Sequence, residues 1–261
     1  MQPVLFEVLG WGVPTHEFFV GLGLAVAGFV YFWEARRKGV LNEQTAWVAV
    51  GALIGGAILA KLGSAWRFVG SGSTLSDLYL FGGRSILGGL AGAYFGALIA
   101  KRLVGYRRST GALFAPAVAI GLAVGRIGCF LTEQVGTATS LPWGIAMSAE
   151  AAAAIPNCPQ CVSGQPMHPS FLYEIVFLAA AFGVLWWGRD RLVTPGLSFK
   201  LFLFAYGVFR LGVEFVRGNP EMAFGLSGSQ IFLLITVPIL IVHIARMQYQ
   251  RAGVSVAGAP A

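Results

Sequence analysis

The sequence predicts an all-α polytopic membrane protein with seven transmembrane helices, its N-terminus outside and its C-terminus in the cytoplasm. Three observations carry this. Hydrophobic residues make up 56% of the 261 and charged residues only 11%, with a mean hydropathy of +0.73, whereas a soluble domain is about 25% charged. Apolar runs of about 20 residues, long enough to cross a hydrocarbon core, recur along the chain. Lys and Arg gather in alternate connections between those runs, the signature of cytoplasmic loops.

The expected spans are, in order, 17–33, 45–63, 85–104, 113–131, 170–187, 199–216 and 230–245. The third carries Gly88, Gly89, Gly92 and Gly96, small residues that let a neighbouring helix backbone approach closely. Arg36, Arg37 and Lys38 follow the first span, and Lys101, Arg102, Arg107 and Arg108 follow the third. Arg189, Arg191 and Lys200 lie between the fifth and sixth, and Arg246 and Arg251 follow the seventh. These twelve of the eighteen basic residues fall on one side. The net charge of +7 is therefore a topology signal, and no nucleic-acid partner is needed to explain it. The first fifteen residues hold no Lys or Arg, so no secretory signal peptide is expected.

Residues 1–251 read as a single membrane-embedded domain, followed by a tail, 252–261, that is small and apolar without period and is expected to be disordered. The connection 132–169 has no Lys or Arg and is expected outside, with Trp143 as an interface anchor. It also holds Cys158 and Cys161. These are a disulfide or a free pair, since a zinc site would need two more ligands and only His168 is near.

Arg126 is the costly residue of the fourth span. An arginine at a helix centre opposes insertion by about 2.5–3.5 kcal/mol, and a planar, permanently charged fork near a membrane surface suits a phosphate. The alternatives are a snorkelling arginine or one paired with a buried carboxylate. The topology brings other polar groups to the same outer level: Arg84 at the mouth of the third span, His168, Tyr173 and Glu174 at the fifth, and Arg210 and Arg217 on the sixth. Tyr206, Arg210, Glu214 and Arg217 follow i, i+4, i+8, i+11 spacing and share one helical face. Intramembrane ionisable residues gathered in this way mark a candidate site.

Three segments resemble the prolipoprotein diacylglyceryl transferase family. Gly125-Arg126-Ile127-Gly128-Cys129-Phe130 resembles G-R-I-G-N-F, and His168-Pro169-Ser170-Phe171-Leu172-Tyr173-Glu174 resembles H-P-S-Q-L-Y-E. The stretch from Tyr206 to Arg217 resembles Y-G-x-F-R-F-x-V-E-F-x-R. The resemblance implies a bacterial inner-membrane enzyme with two partners, phosphatidylglycerol and the signal peptide of a prolipoprotein. It would move diacylglyceryl to the lipobox cysteine thiol and release glycerol phosphate, with no metal or organic cofactor. It also implies that Arg126 and Arg210 handle the phosphate with His168 assisting, and that Arg84, Tyr173, Glu174, Tyr206, Glu214 and Arg217 form the substrate-binding surround. The departures are specific. Leu87 stands where the family has the histidine of H-G-G-L-I-G, Cys129 where it has asparagine, and His16-Glu17-Phe18-Phe19 where it has H-W-Y-G. With Leu87 there, thiol activation is expected from the arginine field, with His168 and Glu133 as candidate bases. A same-fold transferase using another acceptor, or a non-catalytic anionic-lipid-binding or transport protein, are the alternative expectations.

Overall fold

The computed structural model describes residues 4–8, 10–64, 85–132, 136–153, 162–191 and 194–257. Arg84, Glu133, Cys158 and Cys161, singled out above, lie outside the described residues. The long helices are α1 (Thr15–Arg37), α2 (Glu43–Leu62), α3 (Ile86–Leu103), α4 (Gly111–Thr132), α6 (Ser170–Trp187), α7 (Leu197–Glu214) and α8 (Gly228–Ala257), with a short α5 (Ala149–Ala153). Among the described residues six of them are long and apolar enough to cross a membrane, so the chain is a multi-pass helical membrane protein. The one left out, α7, is long enough but carries Lys200, Arg210 and Glu214 within its 18 residues. Lys200, counted above among the connection residues, lies in the first turn of this helix, as the span expected over 199–216 already required.

The chain divides into two compact units: 1–31 with 111–261, and 32–110. The second contains the pair α2 and α3. Asn42 caps α2 by accepting from Thr45 N at 2.9 Å, while Thr45 Oγ1 accepts from Asn42 N at 3.0 Å, a reciprocal box that fixes the helix start. A Cβ on Gly55 would run into the Gly92 carbonyl, and one on Gly51 would come within 2.8 Å of the Gly96 carbonyl. These glycines therefore serve backbone-to-backbone packing, in keeping with the small-residue stripe of the third span.

In the first unit, α4 packs against α6 and α7, and α8 packs against α7. Three short antiparallel strand pairs among the described residues, which the sequence reading did not foresee, accompany these helices. β1 (Val4–Val8) pairs with β2 (Trp11–Pro14), β3 (Ile145–Ala146) with β4 (Pro166–Met167), and β5 (Glu221–Ala223) with β6 (Leu226–Ser227). Each is only two to five residues long, too short for the alternation of a longer strand to be visible. The segment after α4 is tied to two helices at once. Gly136 N donates to the His168 carbonyl at 2.7 Å, and Thr137 N donates to the Val216 carbonyl at 2.8 Å. A Cβ on Gly136 would strike the Val216 carbonyl and sit 3.0 Å from that of His168. Glycine is thus required where this segment clamps the start of α6 to the end of α7.

Candidate functional site

The site is built on two buried carboxylates. Glu174, in the first turns of α6, is wholly inaccessible to solvent. Arg126 Nη2 from α4 lies 2.9 Å from each of its oxygens. The Tyr206 hydroxyl from α7 donates to Oε1 at 2.5 Å, and Arg217 Nη1 reaches Oε2 at 3.4 Å. One carboxylate therefore gathers donors from α4, from α7 and from just beyond the end of α7. A buried carboxylate is tolerable only when its lone pairs are filled in this way.

Glu214 is the second anchor. It pairs with Arg210 one turn earlier on α7, and its Oε1 accepts from Asn219 Nδ2 at 2.6 Å and from Ser227 Oγ at 2.7 Å. Ser227 is itself fixed by the start of α8. Its N donates to Gln230 Oε1 at 2.8 Å while its Oγ accepts from Gln230 N at 3.2 Å, a serine–glutamine capping box.

Three guanidinium charges face two carboxylates, so the cluster keeps one unit of positive charge. Arg126 is only 5% exposed, and among the described residues its Nε has no hydrogen-bond partner. Its Nη1 meets the Cys129 sulfur at 3.5 Å. Phe171 lies beneath two of the cations, its ring centroid 5.3 Å from Arg126 Cζ and 4.3 Å from Arg217 Cζ. A ring face favours the cations and takes up neither charge nor donor. Phe171 stands where the resembled motif carries glutamine. A buried, net-positive cluster with an unfilled guanidinium N–H suits a singly charged oxyanion.

His168 and Tyr173, expected at the same level, form a separate group. The Trp143 Nε1 donates to the Tyr173 hydroxyl at 2.8 Å, and His168 Nδ1 lies 3.1 Å from that same oxygen. Their hydrogen bonds close on one another among the described residues and do not reach the arginines. Beside them opens an apolar groove of about 500 Å³, lined by Trp143, Leu172, Tyr173, Val176, Phe177 and Phe209. The Phe177 and Phe209 rings stack at 4.1 Å on its wall.

The structure thus brings together Arg126, Glu174, Tyr206 and Arg217 around one carboxylate, and Arg210 with Glu214 at the other. The sequence reading missed Asn219, Ser227 and Gln230. The S-x-x-Q spacing just before the last apolar run was the available signal for two of them. It also missed the contact of His16 with Cys129, whose positions are 113 residues apart and share no local pattern. Among the described residues no three His, Cys, Asp or Glu side chains are grouped so as to hold a metal ion.

Comparison with known proteins agrees with this picture. The family model for prolipoprotein diacylglyceryl transferase matches residues 3–248. A phosphatidylglycerol–prolipoprotein diacylglyceryl transferase of Clostridium tetani is 30% identical over 250 residues, covering 92% of this chain and 95% of its own. The enzyme of the same name from Idiomarina loihiensis is 31% identical over 267 residues, covering 95% and 92%. That from Chromohalobacter salexigens is 31% identical over 246 residues, covering 87% and 85%. With a match over nearly its whole length, and with three resembling motifs supplying the two carboxylates and three arginines of one site, the chain belongs to the prolipoprotein diacylglyceryl transferase family.

Proposed function

We propose that this protein transfers the diacylglyceryl group of phosphatidylglycerol to the lipobox cysteine thiol of prolipoproteins and releases glycerol phosphate. The observation that carries the reading is the buried arginine cluster with its residual positive charge and the open Nε of Arg126. A phosphodiester has one negative charge and leaves as a phosphate with more, so donors fixed beforehand by Glu174 and Glu214 gain strength as the bond to carbon breaks. Arg126 and Arg210 hold the phosphate. Glu174, Tyr206, Glu214 and Arg217 keep the two guanidiniums in place. The apolar groove beside Tyr173 suits an acyl chain. Arg84 belongs to the same headgroup surround in this reading, and His168 and Tyr173 line the approach of the peptide.

The enzyme resides in the bacterial plasma membrane with seven spans, the N-terminus and the 132–169 connection outside. In this account α7 crosses as well, its charges neutralised within the bundle. The test is complementation of a strain depleted of its own transferase, together with mass spectrometry of a lipobox peptide incubated with phosphatidylglycerol and the purified protein. A mass increase of one diacylglyceryl group on the cysteine is expected. An unmodified peptide with intact, phosphatidylglycerol-binding protein would refute this acceptor. Leu87 and Cys129, at positions where the family pattern has histidine and asparagine, favour a second reading in that event: the same transfer to a different nucleophile.

A further inference from the structure

His16 stands in the first turn of α1, half-buried, and its Nε2 lies 3.8 Å from the Cys129 sulfur. That sulfur is in turn 3.5 Å from Arg126 Nη1. The approach is set by backbone. A Cβ on Gly128 would lie 3.0 Å from Phe19 Cβ and 3.2 Å from both the Cα and the carbonyl oxygen of His16. Further along the same two helices, a Cβ on Gly121 would lie 2.8 Å from Ala27 Cβ and 2.9 Å from the Gly23 carbonyl. Glycines on α4 thus let α1 lie against it and hold the imidazole beside the turn that carries Arg126. The Nε of that arginine is buried and has no hydrogen-bond partner among the described residues, and on the transferase reading it is the donor left for the phosphate.

We propose that His16 is the general base that takes the proton of the acceptor thiol. The inference rests on the transferase reading above. In the step, the thiol proton passes to the imidazole and the sulfur lone pair forms a bond to the terminal glyceryl carbon. The carbon–oxygen bond to phosphate breaks, its electron pair leaving with the phosphate oxygen, and the imidazolium proton passes to the departing phosphate or to water. A thiol is a weak nucleophile and a thiolate a strong one, so a base near the cationic cluster accelerates this step. Cys129 is not the nucleophile. Its attack would give a thioether, a dead end from which the diacylglyceryl group would not move on. It is a positioning residue between imidazole and guanidinium. Among the described residues, the charged and titratable groups beside His16 include the Cys129 thiol and, past it, the Arg126 guanidinium, both from α4. Glu17, next to it on α1, is exposed.

The test is the pH–rate profile of purified parent and His16→Gln protein with phosphatidylglycerol and a lipobox peptide, alongside the peptide with selenocysteine in place of cysteine. His16→Gln is expected to lose about 10²-fold in kcat at the low end of the range. The loss should shrink as the pH rises toward about 8.5, where a free thiol ionises unaided. The selenol, ionised without help, should react with parent and variant alike, and phosphatidylglycerol binding should be unchanged. A loss of equal size at every pH and with both peptides would mark His16 as merely structural and overturn the proposal, as would parent-like rates. Should the variant not fold, the parent decides: a thiol profile that levels off below the free-thiol range supports the base, and one that climbs through it overturns it. A parent that modifies neither peptide refutes the transferase reading, and the inference with it. An active parent with an indifferent His16→Gln refutes the inference alone.

Discussion

Arg126 and Glu174 lie 48 residues apart in sequence and meet through a single guanidinium nitrogen placed 2.9 Å from both carboxylate oxygens. That arrangement leaves the Nε edge of the arginine free of protein partners among the described residues. The carboxylate fixes the cation without covering it. Glu174→Gln should therefore remove the negative charge, and one of the two acceptor oxygens, shared by Arg126, Arg217 and Tyr206. Breaking a buried pair from one side costs about 3–5 kcal/mol. A lower midpoint of thermal unfolding in detergent and loss of turnover are expected together. A variant with the parent's midpoint would show that the hub is not what holds the arginines.

Arg126→Lys and Arg210→Lys keep the charge and lose the planar fork. Arg126 uses one nitrogen on Glu174 and another on Cys129, leaving a third for substrate. An ammonium has its three donors on one atom and cannot reach the positions that three separate guanidinium nitrogens occupy. Each variant should slow glycerol phosphate release by about tenfold or more, some 1.4 kcal/mol at the transition state. Arg217→Lys, whose contact with Glu174 is longer at 3.4 Å, should lose less. Parent rates in both Arg126→Lys and Arg210→Lys would make those arginines structural.

His168→Ala removes one contact of the Tyr173 hydroxyl, which keeps the hydrogen bond donated by Trp143 Nε1. Such a bond is worth about 1 kcal/mol, so turnover should fall by no more than about fivefold. Abolished turnover at every pH, with phosphatidylglycerol binding intact, would promote His168 to an essential role.

Ser140 is exposed in the connection expected to be outside. In a background with Cys158→Ser and Cys161→Ser, a Ser140→Cys variant should react with a membrane-impermeant maleimide in intact spheroplasts. Labelling only after lysis would reverse the topology and the side on which the site opens.

How much of this was legible in the sequence depends on range. The apolar runs carried the long helices, because hydrocarbon thickness imposes a length that composition reveals. The i, i+4, i+8 spacing puts Tyr206, Arg210 and Glu214 on the buried face of α7, since helical period is local, whereas Arg217 lies beyond the helix end. Which carboxylate each arginine would meet was not legible. Arg217 bypasses Glu214 on the neighbouring turn to reach Glu174 on another helix, and only the packing of α6 on α7 decides that. That the side chains of His168 and Tyr173 bond to one another and to Trp143 was hidden for a similar reason. They lie within a turn of Phe171 and Glu174, but on a different side of the helix start, where Trp143 meets them. Ser227 was hidden because its partner Glu214 lies across a hairpin of two very short strands.

The two carboxylates also bear on how such a chain enters the bilayer. On the proposed seven-span topology, α7 taken alone would present Lys200, Arg210 and Glu214 to lipid, at a cost of roughly 2.5–3.5 kcal/mol for a basic residue near the middle. The Arg210–Glu214 pair cancels part of that within one turn of helix, before any neighbour arrives. Arg126 has no such companion on α4 and meets its carboxylate only when α6, synthesised later, comes alongside. The fourth helix therefore waits, with an unmet charge, for the one that follows it. Completion of the arginine–carboxylate cluster depends on α6, and a chain truncated before Glu174 should leave Arg126 without its carboxylate.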